Sequence, residues 1–193
     1  IERKDNMSKK TTIIVAIVAV IAVIALMVIS GYNSLVSKEE SVDTAYSNVS
    51  VMLERRADLI PNLVNTVKGY MEHETEVIEN ITTARENLLG AKNIDEQMEA
   101  NDQLTSSLDA LMVVVENYPD LKASENFIQL SDELAGTENR ISTARKDYND
   151  EVKSYNTAIK KFPTNILASM FGFEQKEYFE AKESATEVPE VEF

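Results

Sequence analysis

The chain has 193 residues, a formal net charge of −14 and no cysteine. So acidic a balance argues against binding to a phosphate backbone, which needs a basic face, and no nucleic-acid partner is expected. The missing thiols exclude disulfides, thiolate catalysis and zinc–thiolate sites. Five glycines and four prolines are few interruptions for this length, and with abundant Glu, Leu, Ala and Lys they predict an all-α protein of long helices.

Residues 1–6 precede Met7, which reads as a natural start, so those six are expected to fall outside the mature chain. Residues 1–10 make a short N-terminal flank. Residues 11–31 are the transmembrane candidate: between positions 13 and 29 there is no charge, amide or hydroxyl. A helix of about 20 apolar residues spans roughly 30 Å, the hydrocarbon thickness of a bilayer. A cleaved signal has a shorter apolar core and a small-residue cleavage site, and neither fits here. Lipoprotein processing is excluded by the lack of cysteine. Ile13, Ile17, Ile21, Ile24 and Met27 are therefore expected to face lipid as the membrane anchor. Ala16, Ala19, Ala22 and Ala25 recur every third residue and form a candidate helix-packing ridge. Arg3, Lys4, Lys9 and Lys10 precede the span, and only Lys38 follows it closely. The positive-inside bias then puts the N-terminus in the cytoplasm and the remainder outside it.

Residues 32–163 predict an antiparallel, up-and-down-like four-helix bundle. Val42, Ala45, Val49 and Met52 recur at three or four residues, one apolar helix face. This first helix is expected to continue the membrane helix directly, with Tyr32 at the interface. Pro61 cannot donate a backbone hydrogen bond. Asp58 is a good N-cap three residues before it. One helix is thus expected to end near Arg55 and Arg56, and a second to start at Asp58. Arg55, Arg56, Asp58, Pro61 and Asn62 form the candidate corner of the bundle. The second helix is expected to run to a cap at Gly90, with Glu74 interrupting its apolar row. A third begins at Asn93 or Asp95 and stops at Tyr118-Pro119-Asp120. A fourth follows the row Phe127, Leu130, Leu134, Ile141, Ala144, Tyr148, Val152, Tyr155, Ile159 and Phe162. Glu138 falls on its seam, and a structural hydrogen bond or an ion pair with an arginine such as Arg140 or Arg145 is expected there.

Pro163 ends the fourth helix. Residues 164–173 form a short apolar amphipathic segment in which Ile166, Leu167, Met170, Phe171 and Phe173 are a candidate membrane or partner patch. If the four helices alternate in direction, this patch lands beside the anchor; fusion of the first two through Pro61 would send it away. Residues 174–193 read as a solvated acidic tail, with Tyr178 and Phe179 extending a short helix.

These residues resemble the LemA family. The resemblance is carried by Tyr32-Asn33; Glu54-Arg55-Arg56-x-Asp58-Leu59-Ile60-Pro61-Asn62-Leu63-Val64; Val67-Lys68-x-Tyr70 with His73-Glu74; and Glu116-Asn117-Tyr118-Pro119-Asp120-Leu121-Lys122-Ala123. It continues through Glu133-Leu134-x-Gly136-Thr137-Glu138-Asn139-Arg140-Ile141, Ala144-Arg145-x-Asp147-Tyr148-Asn149, Tyr155-Asn156 and Phe162-Pro163-x-Asn165. It covers the chain to Phe173 and leaves the acidic tail outside. The resemblance implies a bacterial, single-pass protein of the inner (cytoplasmic) membrane with a four-helix bundle and no assigned activity. It implies gene neighbours that include a membrane-embedded zinc metalloprotease in some members, and in some descriptions a cytoplasmic bundle. The flanking charges here favour an extracytoplasmic one.

No catalytic or metal-ligating set emerges. His73 is the only histidine. A His-Glu-x-x-His zinc site needs a second His where Val77 stands. A carboxylate-bridged di-iron bundle needs two Glu-x-x-His elements, and Tyr70 occupies the Glu position. A Ser-His-Asp triad would have His73 to use, but no G-x-S-x-G elbow accompanies it. Gly172 between two Phe is no phosphate loop. No cofactor is implied. The expected work is that of a non-enzymatic scaffold which contacts the lipid bilayer, forms a homo-oligomer or docks a membrane protein partner. The alternatives are a lipid-surface-binding, membrane-organising protein and an adaptor for a membrane protease.

Overall fold

The computed structural model describes residues 9–71 and 73–179. The elements are α1 (Lys9–Lys68), α2 (Thr75–Gly90), α3 (Ile94–Val115), α4 (Pro119–Lys122), α5 (Glu125–Lys160) and α6 (Thr164–Phe171). No strand occurs among the described residues. Arg3 and Lys4, residues 1–6 and the acidic tail beyond Phe179 lie outside them.

The apolar run and the first polar helix are one uninterrupted helix of 60 residues. The expected break at Arg55–Asp58 is absent, and Pro61 lies inside α1. Proline removes the donor for the carbonyl four residues back, which is that of Ala57. Arg85 of α2 supplies a replacement, its Nε donating to the Ala57 oxygen at 2.8 Å. With that carbonyl satisfied, the helix continues. It stops only after Lys68, where Tyr70 and Met71 both donate to the Val67 carbonyl, at 2.9 and 3.0 Å. The segment read as one helix from Asp58 to Gly90 is therefore two pieces, divided at 69–74. Gly90 is the last residue of α2 and not a left-handed cap, because the chain leaves through an extended Ala91.

The described residues form two compact units, and both α1 and α5 contribute to each. One unit contains Asp43–Glu151 and the segment from Glu177. Within it Val49, Arg56 and Leu63 lie seven apart on α1, and Leu53, Ile60 and Val67 form a second buried row. Phe127, Leu134, Ile141 and Tyr148 repeat the same spacing on α5. A spacing of seven keeps side chains on one helix face. Tyr46 of α1 meets Tyr148, and Arg56 meets Glu138. Rising numbers on α1 pair with falling numbers on α5, so these stretches are antiparallel. The α2–α3 connection is short because Asn93 caps α3 as expected: its side chain accepts from the Glu96 N–H at 2.9 Å. Glu96 returns a carboxylate to the Lys92 N–H at 2.7 Å, a reciprocal cap. Pro119 opens α4, where its missing donor is harmless.

The other unit contains α1 up to Val42 together with Val152–Lys176. Leu35, Val42, Val152, Tyr155 and Ile159 form its core, with Leu167 and Ala168 of α6. Lys38 donates to Ser154 Oγ at 2.8 Å, and Lys176 pairs with Glu39 at 3.0 Å. α6 ends at Gly172, whose φ of 76° is left-handed and suits glycine. Beyond it, residues 173–179 carry no regular secondary structure, so Tyr178 and Phe179 do not continue a helix. Phe179 is buried rather than solvated.

Candidate functional site

Three features stand out, and every contact in them joins residues of one unit. The first is the junction between the apolar run and the patch. The helix is long and apolar enough to cross a membrane, and none of its most apolar window is buried. Ile13, Ile17, Ile21, Ile24 and Met27 are all exposed, as are Ala16, Ala19, Ala22 and Ala25. At Gly31 the packing tightens: a Cβ there would lie 2.6 Å from Leu167 Cδ1. The Tyr32 ring meets Phe171 at 4.9 Å and Phe173 at 5.8 Å, both edge-on. Edge-to-face contacts at this range add to simple burial. The patch thus sits beside the end of the span, although the first two predicted helices are fused; the break at 69–74 replaces the one expected at Pro61. Leu167 is buried, Phe173 half-buried, and Ile166, Met170 and Phe171 are exposed.

The second feature is a buried charge cluster. Arg56 occupies an apolar row position of α1 and is only 3% exposed. Its Nη1 donates to Asn101 Oδ1 at 2.6 Å and to Thr105 Oγ1 at 3.0 Å, and pairs with the Glu138 carboxylate. Glu138 therefore finds its partner on α1 and not in Arg140 or Arg145 of its own helix. A seam residue points across to the facing helix, where Arg56 stands. Burial pulls the Arg56 guanidinium below its ordinary value, opposed mainly by Glu138. Its Nε has no acceptor among the described residues. Beside the cluster lies a cavity of about 260 Å³, walled mostly by leucine, methionine and alanine side chains. Through this one guanidinium the cluster joins α1, α3 and α5. Of the other corner residues, Arg55, Asp58, Pro61 and Asn62 are exposed. The corner therefore divides into one buried residue and four that face solvent. The Asn62 carbonyl accepts from Thr66 Oγ1 at 2.9 Å.

The third feature was not expected. Asn156 Nδ2 donates to the Lys176 carbonyl at 2.8 Å, and Asn156 Oδ1 accepts from the Lys176 N–H at 3.0 Å. Asn149 makes the same pair of bonds with Phe179, both at 2.9 Å. A primary amide matches the backbone N–H and C=O of one residue, donor for acceptor. Tyr148 adds a bond from its hydroxyl to the Glu177 carbonyl at 3.0 Å. Its phenol is pushed up to about 12 by burial and by Tyr46, Asp43 and Glu177. The signal was present in the sequence as the dipeptide Tyr-Asn repeated at 148–149 and 155–156. Arg85, Asn101 and Thr105 had no such signal.

His73 is exposed. Among the described residues there is no group of three or more His, Asp or Glu able to hold a metal.

The chain is 32% identical to magnetosome proteins MamQ 2 and MamQ 1 of Paramagnetospirillum magneticum, over 78% of this chain and 65% of each relative. It spans, then, less than two thirds of their length. It is 30% identical to protein LemA of Metamycoplasma hominis, over 78% of this chain and 69% of that protein. The family description matches residues 45–193, which takes in the acidic tail and leaves out Tyr32-Asn33. On this match the chain belongs to the LemA family.

Proposed function

We propose that this protein is a membrane-anchored, non-enzymatic helical scaffold. One observation carries the proposal: a fully exposed apolar stretch runs without a break into a helix whose later turns are packed. An apolar helix face left bare in water is unfavourable, whereas the same face in lipid has no such cost. The rest of the chain is read as a four-helix, up-and-down bundle formed by the later part of α1, α2, α3 and α5. The antiparallel pairing of α1 with α5 and the cross-links Arg85–Ala57 and Asn87–Gln103 support that arrangement.

The scaffold is assigned to the bacterial inner membrane, with the bundle outside the cytoplasm, on the excess of cations before the span. Self-association is assigned to the exposed ridge of Ala16, Ala19, Ala22 and Ala25, where small side chains let backbones approach. Docking of a membrane protein partner would use the exposed corner at Arg55, Asp58, Pro61 and Asn62. The magnetosome in the relatives' names is not carried over, because the chain spans only 65% of their length. A second reading, lipid-surface binding, is favoured by the exposed side chains of α6.

The test is extraction and mass. The full chain should stay with membranes in alkaline carbonate and leave them in mild detergent, with a detergent-corrected mass of more than one chain. Release by carbonate would overturn the anchor; a single-chain mass would overturn self-association. Protease digestion of right-side-out and inverted vesicles decides the orientation.

A further inference from the structure

We propose that α6 is a second membrane contact, with the side chains of Phe162, Ile166 and Met170 lying in the headgroup–acyl boundary of the bilayer that α1 crosses. The inference rests on reading residues 11–31 as the span.

α6 is two-sided. Leu167 and Ala168 are buried against the unit's core, while Ile166 is 52% and Met170 66% exposed. Phe162, just before the helix, is 81% exposed. Three large apolar side chains thus stand bare within nine positions. Their placement decides what covers them. Leu167 reaches Gly31 so closely that a Cβ there would stand 2.6 Å from its Cδ1. Phe171 and Phe173 clasp the Tyr32 ring. Gly31 and Tyr32 are where the apolar run gives way to polar sequence, the level at which interfacial aromatics sit. A helix pinned there cannot leave the headgroup level. Its bare side chains continue the lipid-facing surface of α1, and a short helix with one apolar face lies flat in such a boundary. Lys160 and Lys161 are exposed just before Phe162. Cations in that place suit the phosphates of the same layer.

The chain contains no tryptophan, so a single one reports its own surroundings. Phe162→Trp and Met170→Trp would be made separately in the full chain and reconstituted in vesicles of phosphatidylcholine brominated on the acyl carbons nearest the headgroup. Leu26→Trp, in the span, and Val113→Trp, exposed on α3, are the controls. The expected result is a loss of fluorescence and a blue shift at 162 and 170, with no loss at 113. If 162 and 170 behave like 113, the inference fails while quenching at 26 with deeply brominated lipid keeps the anchor. If 162 and 170 are shielded from aqueous iodide yet untouched by bromine, protein covers the face, and the inference fails again. If 26 is quenched by iodide and not by bromine, the span reading itself fails. Two separate positions guard against one variant misfolding.

Discussion

The Nε of Arg85 lies 2.8 Å from the carbonyl oxygen of Ala57, the oxygen that Pro61 deprives of its intrahelical donor. A proline that would ordinarily end a helix is thereby accommodated within one of 60 residues. Arg85→Met should cost about 1–3 kcal/mol, since it leaves a buried carbonyl unsatisfied. Pro61→Ala restores the backbone donor, so Arg85→Met should cost clearly less in that background. Denaturation of the four chains in mild detergent gives the coupling, and simple additivity would mean that the two residues act independently.

Arg56 is buried and its partner Glu138 is half-exposed, so removing the carboxylate alone should hurt more than replacing both side chains by apolar ones. Glu138→Leu alone leaves a guanidinium that is 3% exposed with only the neutral oxygens of Asn101 and Thr105 and should cost about 1–3 kcal/mol. The double change Arg56→Met with Glu138→Leu should recover much of that loss. Thermal midpoints of the single and double variants check this. A double variant worse than either single one would show the pair to be a net stabiliser.

Tyr148 gives the fold a sensitivity to alkali. Its folded value of about 12 lies above the ordinary 10.0. The folded state therefore holds the phenolic proton more tightly than the unfolded chain does. Its contribution is fully present below pH about 10 and is lost as pH rises through about 12. Ultraviolet difference titration should show one tyrosine ionising late, and Tyr148→Phe should remove that step.

Each asparagine amide holds the N–H and the C=O of one residue by two hydrogen bonds. Asn156→Ala should speed hydrogen exchange at the Lys176 amide, and Asn149→Ala at the Phe179 amide. A loss of about 1–2 kcal/mol at each site corresponds to roughly five- to thirtyfold faster exchange. Site-resolved exchange on the full chain checks it, and equal protection in variant and parent would mean that neighbouring contacts hold the segment.

Much of the architecture was legible in one dimension. The apolar run between positions 13 and 29, the Asn93 cap, the Tyr118-Pro119 stop and the row of seven-spaced residues on α5 depend on composition and periodicity, which are local properties. Arg56 and Glu138 were both noticed, but one was read as a helix end, and the other was expected to meet an arginine without it being clear which. Local rules carry no information about which helix stands opposite. The same limit explains Pro61, whose effect depended on an arginine far along the chain. The Tyr-Asn repeat was visible, yet its meaning lay in an irregular segment that no periodicity marks. Hydrophobic pattern thus specified which residues form helices and which faces are buried. Only the packing of one helix on another chose the partners of the buried polar groups, because a desolvated donor or acceptor must be met by whatever folding brings to it.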